Sequence, residues 1–267
     1  MSTLLRVENL SIAFGGLKAV DDLSFEVSEG EIYGIIGPNG AGKTTAFNCI
    51  TQFYKPDSGR ILFNSKLQGM MDLIGQKTHQ IIGHGLVRTF QNVELIASLS
   101  VIDNLLVGGH IAFKASLMSQ ILRLPKSRRE ESVMRQKAEE ILDMLGLLHI
   151  KDMPAIMQPY GHQKMLELAR TLMLSPKLII LDEPAAGLNE TETIALIDVV
   201  RGVTKKLGCG ILLIEHDMNF VSSICNRICA INFGKLLAIG TPEEIKTHHA
   251  VQEAYLGKNE IEGEEGM

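Results

Sequence analysis

The chain has 267 residues, of which 45% are hydrophobic and 21% are charged, and this balance is typical of a folded globular protein rather than of a disordered chain. The formal net charge is −5 and Trp is absent, which argues against nucleic acid as a partner, because nucleic-acid binding needs a basic face and aromatic stacking platforms. Four scattered cysteines, the lack of a secretory signal pattern and the lack of an apolar run of ~18–20 residues lead us to expect a soluble, cytoplasmic protein with reduced thiols.

The first part of the chain shows strand patterns followed by a helical one. Residues 4–13 and 22–28 alternate apolar and polar side chains, which predicts two half-buried strands joined by a turn at Gly15-Gly16. Residues 31–36 are mostly apolar and predict a buried strand. Residues 44–54 have helical spacing, so a strand, a glycine-rich loop and a helix are expected in succession.

The middle of the chain differs from its flanks. Residues 100–157 contain no convincing strand and several helical patterns. Ser127 and Glu130 have the spacing of a capping box, which predicts that a helix begins there. The apolar residues that follow recur on one helical face, and Gly146 is expected to cap the C-terminal end of the helix.

The C-terminal part returns to alternating strands and helices. Two short apolar runs at 178–182 and 211–215 flank the helical pattern at 190–206, which indicates a strand–helix–strand unit with parallel strands. The final residues, 257–267, are acidic and glycine-rich, so we expect a disordered tail.

Residues 37–44, Gly-Pro-Asn-Gly-Ala-Gly-Lys-Thr, match the full G-x-x-x-x-G-K-[ST] phosphate-binding loop between a predicted strand and a predicted helix. Its glycines let backbone N–H groups surround phosphate oxygens, and the helix N-terminus faces the same charge. Lys43 is expected to neutralise the β- and γ-phosphates of a bound nucleotide, and the Thr44 hydroxyl to ligate Mg²⁺. The predicted nucleotide-binding residues here are Gly37, Pro38, Asn39, Gly40, Ala41, Gly42, Lys43, Thr44 and Thr45.

A second acidic motif follows the apolar run at 178–182. Asp182 ends that predicted strand, where a carboxylate is costly unless it meets a cation, so we expect it to face the Mg²⁺ ion. Glu183 is the next residue and is expected to orient the attacking water as general base.

The order of these motifs resembles that of the ATP-binding subunits of ABC transporters over about residues 4–256. The resemblance implies an α/β fold of the P-loop NTPase class, with a RecA-like core of ABC type, an antiparallel β part and an inserted helical subdomain. On that basis the nucleotide-binding core comprises 1–92 and 158–256, and the helical subdomain comprises 93–157.

The resemblance also implies roles for three single residues. Gln91, in Arg-Thr-Phe-Gln-Asn, matches the glutamine that senses Mg²⁺ and the attacking water. His216, in Leu-Ile-Glu-His-Asp, matches the switch histidine that steadies the γ-phosphate. Phe14 takes the place of the aromatic residue that stacks on adenine.

The segment Tyr160-Gly161-His162-Gln163 lies where the signature motif of the family lies, but it departs from the usual Leu-Ser-Gly-Gly-Gln. Pro159 replaces a serine whose hydroxyl bonds the γ-phosphate of the partner subunit's ATP, and proline also lacks a backbone N–H. The glycine and the helix N-terminus remain. We therefore expect all four residues of the segment to bind nucleotide in an altered but working contact.

Several segments narrow the resemblance to the branched-chain amino acid importer group, namely 14–20, 88–93, 103–108, 182–189 and 214–218. In that group the ATPase pairs head to tail with a second, homologous ATPase subunit or with itself. Its other partners are two transmembrane permeases and, indirectly, a periplasmic solute-binding protein. The resemblance thus implies a peripheral location on the cytoplasmic face of the inner membrane.

Three alternatives to a branched-chain amino acid importer stay open at this point. Substrates of the group extend to urea and short amides, so the solute is less certain than the machinery. An ATPase of the same fold can drive export, for example of a lipid. A nucleotide switch acting on a nucleic-acid complex is disfavoured by the single, acidic cassette.

Overall fold

The computed structural model describes residues 2–89, 95–109 and 125–261, with side chains for all of these but 125–128 and 256–261. It divides the chain into two compact units. The first comprises Met1–Arg88, Lys177–Ala186 and Thr204–Met267, and the second comprises Thr89–Pro176 and Gly187–Val203. The domain boundaries drawn from the resemblance stay a prediction.

The described residues form strands and helices in the following chain order. The strands are β1 (Thr3–Phe14), β2 (Leu17–Ser28), β3 (Ile32–Ile36), β4 (Ser58–Ser65), β5 (Gly69–Asp72), β6 (Leu86–Arg88), β7 (Leu178–Asp182), β8 (Gly210–Ile214), β9 (Arg227–Asn232) and β10 (Lys235–Gly240). The helices are α1 (Lys43–Ile50), α2 (Thr78–His84), α3 (Val101–Gly108), α4 (Pro125–Met144), α5 (Tyr160–Leu172), α6 (Glu190–Leu207), α7 (Met218–Ile224), α8 (Pro242–Thr247) and α9 (His249–Ile261).

Two sheets build the first unit. One is antiparallel with the order β2-β1-β4-β5, and the other has the order β10-β9-β3-β8-β7-β6. In the second sheet all neighbours are parallel except β9 and β10. Strands β3, β7 and β8 are buried at every residue, which explains why they are continuous apolar runs in the sequence. The predicted α/β organisation with an antiparallel part is confirmed.

The core of the first unit contains side chains from both sheets and from α1. Tyr33, Phe47 and Phe63 are among its largest fully buried side chains. They come from β3, α1 and β4, so burial of these rings fixes the helix after the predicted phosphate loop against both sheets. This packing gives the loop a rigid base.

In the second unit, helix α4 confirms one part of its prediction and corrects another. Ala138 and Leu142 are buried on one face, and Gly146 has φ +72° just beyond the helix, as expected for a C-terminal cap. The predicted start at Ser127 is wrong, because the helix begins at Pro125. Proline lacks a backbone N–H and has a φ suited to the first helical turn, so it begins a helix well.

The sequence patterns failed to predict several strands and part of one helix. Strands β4, β5, β9 and β10 were not predicted, and β4 begins at Ser58, within a segment typical of a turn. Helix α9 includes residues 257–261, the first half of the predicted disordered tail, while 262–267 lie outside the described residues. Glycine costs a helix only about 1 kcal/mol, which neighbouring helix formers can offset.

All four cysteines are buried and unpaired by disulfides, as the sequence predicted. Burial raises the pKa of Cys49 and Cys209 to about 11 and that of Cys229 to about 12, and it also raises the pKa of Cys225. These thiols serve as small apolar side chains of the core.

No helix in the described part of the chain combines the length and the apolar character that crossing a bilayer demands.

Candidate functional site

The predicted site residues of the first unit lie at one edge of the parallel sheet. The loop 37–42 follows β3. Asp182 is the last residue of β7 and Glu183 is the next residue, while His216 comes two residues after β8. Strands β3, β8 and β7 are parallel neighbours, so their carboxyl ends meet at the same edge. The topology therefore brings together residues that are up to 179 positions apart in numbering, from Gly37 to His216.

The loop after β3 is held tightly against the surrounding backbone. Gly42 has φ +98°, and a Cβ atom at this position would lie 2.2 Å from the carbonyl oxygen of Ala19 in β2. The N–H of Gly234 donates to the carbonyl oxygen of Ala41 at 2.9 Å. Only glycine fits position 42, and the close backbone contacts hold the loop against β2 and Gly234.

Lys43 begins helix α1 and lies inside the loop. Its side chain is buried at 7% exposure, and Nζ donates to the carbonyl oxygens of Gly37 at 2.6 Å and Pro38 at 2.9 Å. Thr44 is exposed and Thr45 half-buried, while Asn39 and Gly40 are exposed at the tip of the loop. An ammonium group and a helix N-terminus thus lie beside a loop with an exposed tip, an arrangement that suits a phosphate chain.

Asp182 ends β7 in a buried environment with a cation beside it. Its side chain is 8% exposed, and Oδ2 accepts from Nη2 of Arg88 at 2.5 Å. Arg88 ends β6, the neighbouring parallel strand, and its Nη1 donates to Oδ1 of Asn48 in α1 at 2.6 Å. Sequence reasoning did not assign a role to Arg88 or Asn48, because nothing local pairs them with Asp182.

Glu183 has an unusual backbone conformation. Its φ is +46°, in the left-handed region that residues with a Cβ rarely adopt, and its N–H donates to the carbonyl oxygen of Ile214 at 3.1 Å. Such strain persists only where the surrounding structure imposes it, and it concentrates at functional positions. The side chain is half-buried, so the carboxylate remains within reach of solvent.

Glu215 lies between β8 and His216, and its carboxylate is almost completely buried at 1% exposure. Oε1 accepts from the N–H of Ala185 at 3.0 Å, and Oε2 accepts from the N–H of His216 at 3.2 Å. The His216 ring is 58% exposed, with Nδ1 3.7 Å from Oε2 of Glu215. Glu215 therefore joins the loop after Glu183 to the predicted switch histidine, a connection that the sequence did not reveal.

Burial raises the pKa of Glu215 above its ordinary value of 4.5, with the two backbone N–H donors acting in the opposite direction. Folding therefore favours the protonated form, and this contribution to stability is full below pH 4.5 and is lost as pH rises through the folded-state pKa. We predict that Glu215→Gln, which cannot ionise, gains stability over the wild type as pH is raised from about 4.5 to about 8. Urea unfolding at several pH values measures the difference, and Asp198→Asn at an exposed position corrects for the loss of one carboxylate. A difference that stays constant with pH contradicts the prediction.

The segment 159–163 lies in the second unit at the start of α5. Pro159 is the N-cap residue, with φ −50° and ψ 151°, so the proline is compatible with the start of the helix. The N–H of Gly161 donates to Oε1 of Glu192 at 3.2 Å. A Cβ at position 161 would lie 2.7 Å from the same oxygen, so a larger residue here would require the Glu192 side chain to move. The helix N-terminus thus already holds a carboxylate, which is the charge it favours.

Of the remaining predicted site residues, the structure describes Phe14 and Tyr160 but not Gln91. Phe14 is 48% exposed at the end of β1, and its ring packs against Tyr54 with 5.3 Å between the centroids. Tyr160 is 43% exposed, and Nζ of Lys164 lies 5.8 Å from the centre of its ring. Gln91 lies outside the described residues, so its predicted catalytic and metal-sensing role stays a prediction.

The donor set of the first unit fits Mg²⁺ and a nucleoside triphosphate. Lys43, the backbone of the loop and the start of α1 supply positive charge and N–H donors for phosphate oxygens. Thr44 and Asp182 supply a hydroxyl and a carboxylate, which are oxygen ligands of the kind that Mg²⁺ prefers.

Two family profiles match the chain. One is described as "ABC transporter" and matches residues 20–186, and the other is described as "Branched-chain amino acid ATP-binding cassette transporter" and matches residues 235–261. The second match falls on β10, α8 and α9, in a part of the chain whose strand and helices the sequence patterns had not identified.

Curated relatives and solved structures are similar over almost the whole chain. A protein of Salmonella typhimurium named "High-affinity branched-chain amino acid transport ATP-binding protein LivG" is 45% identical, covering 96% of this chain and 98% of its own. The BraF protein of Pseudomonas aeruginosa, with the same descriptive name, is 40% identical over the same shares. The crystal structure of the ADP conformation of an ATP-binding cassette of an ABC transporter superposes with a TM-score of 0.82, at 33% identity, covering 96% of this chain and 100% of that one. The P-loop fold of ABC type predicted from the motifs is confirmed by this likeness.

Proposed function

Since the chain belongs to the family of ABC transporter ATP-binding cassettes, we propose that it hydrolyses ATP to energise an importer for branched-chain amino acids. The observation that carries the proposal is the 45% identity, over nearly the full chain, to LivG, which is named for branched-chain amino acid transport. The converging loop, lysine and carboxylates at one sheet edge support the ATPase part.

The chemistry of hydrolysis follows from the residues at this edge. Lys43 and the loop backbone bind the phosphates and neutralise charge that develops on the γ-phosphoryl oxygens. Glu183 accepts a proton from water as the water oxygen bonds to the γ-phosphorus, and the bond from that phosphorus to the bridging oxygen of ADP breaks. His216 contacts the γ-phosphate from the end of β8, on a backbone that Glu215 holds.

Thr44 and Asp182 are the described residues that would hold Mg²⁺, and Gln91 is predicted to join them. When bound, the ion supplies positive charge to the β- and γ-phosphate oxygens.

Assembly with a second ATPase subunit, or with a second copy of this chain, completes the proposed site. In the head-to-tail arrangement, Tyr160, Gly161, His162 and Gln163 of one chain close over ATP bound by Lys43 of the other. Hydrolysis then removes a ligand that favours the closed state, so nucleotide drives closure and opening. Two permeases receive this motion at the cytoplasmic face of the membrane, and a periplasmic binding protein delivers the solute to them.

Uptake of labelled leucine tests the proposed function. Cells whose only copy carries Glu183→Gln are expected to lose leucine uptake while other solutes enter normally, because the importer lacks its energy source. Asp198→Asn, at an exposed position of α6, serves as the matched control and is expected to transport as the wild type does. Unchanged leucine uptake in the Glu183→Gln strain, with the purified variant inactive in ATP hydrolysis, rejects leucine as the solute and directs the assay to urea, short amides or lipid export.

A further inference from the structure

The pair of Arg88 and Asp182 carries an inference that the proposed ATPase chemistry does not require. The guanidinium is 11% exposed and the carboxylate 8% exposed, and Nη2 of Arg88 lies 2.5 Å from Oδ2 of Asp182. In a buried pair of this geometry the low local dielectric strengthens the attraction between the two charges, and both groups have lost water.

Arg88 is held from two sides. Nη1 donates to Oδ1 of Asn48, which lies four residues after Thr44 on helix α1, while Nη2 donates to Asp182. The planar guanidinium spans the two partners as a fork, which an ammonium group cannot do. Nε of Arg88 is buried and finds no acceptor among the described residues, so the orientation of the group is set by its two bonded ends.

The position of this fork matters because Asp182 is the proposed carboxylate ligand of Mg²⁺. A cation bound to Oδ2 withdraws negative charge from the carboxylate and repels a second cation at the same group. Arg88 also directly precedes Thr89 and the segment that contains Gln91, the predicted metal-sensing residue.

We propose that Arg88 is a positioning residue of the magnesium site that orients Asp182 through Oδ2 and, by its charge, weakens the affinity of the nucleotide complex for Mg²⁺. The inference rests on the proposed function, since it presumes that this edge of the sheet binds nucleotide with Mg²⁺. Arg88 thereby keeps the ion exchangeable between turnovers, and it links helix α1, β6 and β7 at the point where the ion binds.

Equilibrium binding of ADP to the full-length protein, measured by calorimetry in excess Mg²⁺ and again in EDTA, tests the proposal. The dissociation constant of ADP in EDTA, divided by that in Mg²⁺, reports how much Mg²⁺ and ADP strengthen each other's binding. Arg88→Gln removes the positive charge beside Asp182, so the ratio is expected to rise about tenfold. Arg88→Lys loses the fork but keeps the positive charge, which in this proposal sets the affinity for Mg²⁺, so its ratio is expected to stay within about threefold of the wild type. Asn48→Ala keeps the charge beside Asp182, so its ratio is expected to stay within the same range.

The outcomes separate this inference from the proposed function. Failure of the wild type to bind ADP contradicts both. Binding with the wild-type ratio in Arg88→Gln, in a variant that still unfolds cooperatively, overturns the inference alone. If Arg88→Gln does not unfold cooperatively, the ratio of dissociation constants in Arg88→Lys becomes the test. A tenfold change in that ratio overturns the inference, because it shows that fork geometry rather than charge sets the affinity for Mg²⁺.

Discussion

Replacing Glu183 with glutamine is expected to lower the rate of ATP hydrolysis at least ~100-fold while ATP binding is retained. The carboxylate is the proposed proton acceptor for the attacking water, and an amide of the same size cannot take that proton. The left-handed backbone of Glu183 aims the side chain from the end of β7, and glutamine leaves that backbone in place. Phosphate release under saturating ATP measures the rate, and equilibrium binding of ATP measures the affinity.

Two comparisons make the Glu183 result specific. Glu190→Gln changes an exposed glutamate at the start of α6 and is expected to hydrolyse ATP at the wild-type rate. Glu183→Gly is expected to be inactive yet to unfold at a higher temperature than the wild type, because glycine adopts φ +46° without strain. Near-normal turnover in Glu183→Gln removes Glu183 from the role of general base.

Replacing Lys43 with alanine is expected to weaken ATP binding at least ~100-fold. The substitution removes the buried ammonium and with it the hydrogen bonds to the carbonyl oxygens of Gly37 and Pro38. Both losses act in the same direction, since the loop loses its cation and the internal contacts that fix its shape. Titration with a fluorescent ATP analogue gives the dissociation constant, and thermal unfolding shows whether the variant is folded.

Lys205→Ala provides the matched control for the loss of one positive charge. Lys205 is exposed near the end of α6, and its removal is expected to leave the dissociation constant of ATP within about twofold of the wild type. If Lys43→Ala binds ATP as tightly as Lys205→Ala does, the loop 37–44 is not the phosphate site.

The elements that could be predicted are those whose own short stretch of sequence shows a clear pattern. The buried strands β3, β7 and β8 are continuous apolar runs, and the loop after β3 has a glycine spacing that few other structures share. Strands β4 and β10 escaped because they are only partly buried, so their sequences carry polar residues and glycines that are also typical of turns. Their pairing partners, rather than their own composition, make them strands.

In the candidate site, too, residues within short motifs could be predicted, and residues paired across long stretches of chain could not. Lys43, Asp182 and Glu183 stand in short motifs, and the order of those motifs predicted their chemistry. Arg88 pairs with Asp182 across 94 positions, and Glu215 joins Ala185 across 30. Such pairs depend on which strands become neighbours, and a single sequence does not state that.

The burial of all four cysteines has a practical consequence for following the motion of the transporter. Thiolates are the reactive form, and thiols whose pKa is raised by burial react slowly with maleimides at neutral pH. A spectroscopic label can therefore be attached to one cysteine introduced at an exposed position, such as Leu207, with the native thiols left in place. Distances between such labels on the two subunits of the proposed ATPase pair would follow their proposed approach and separation through the nucleotide cycle in the otherwise native chain.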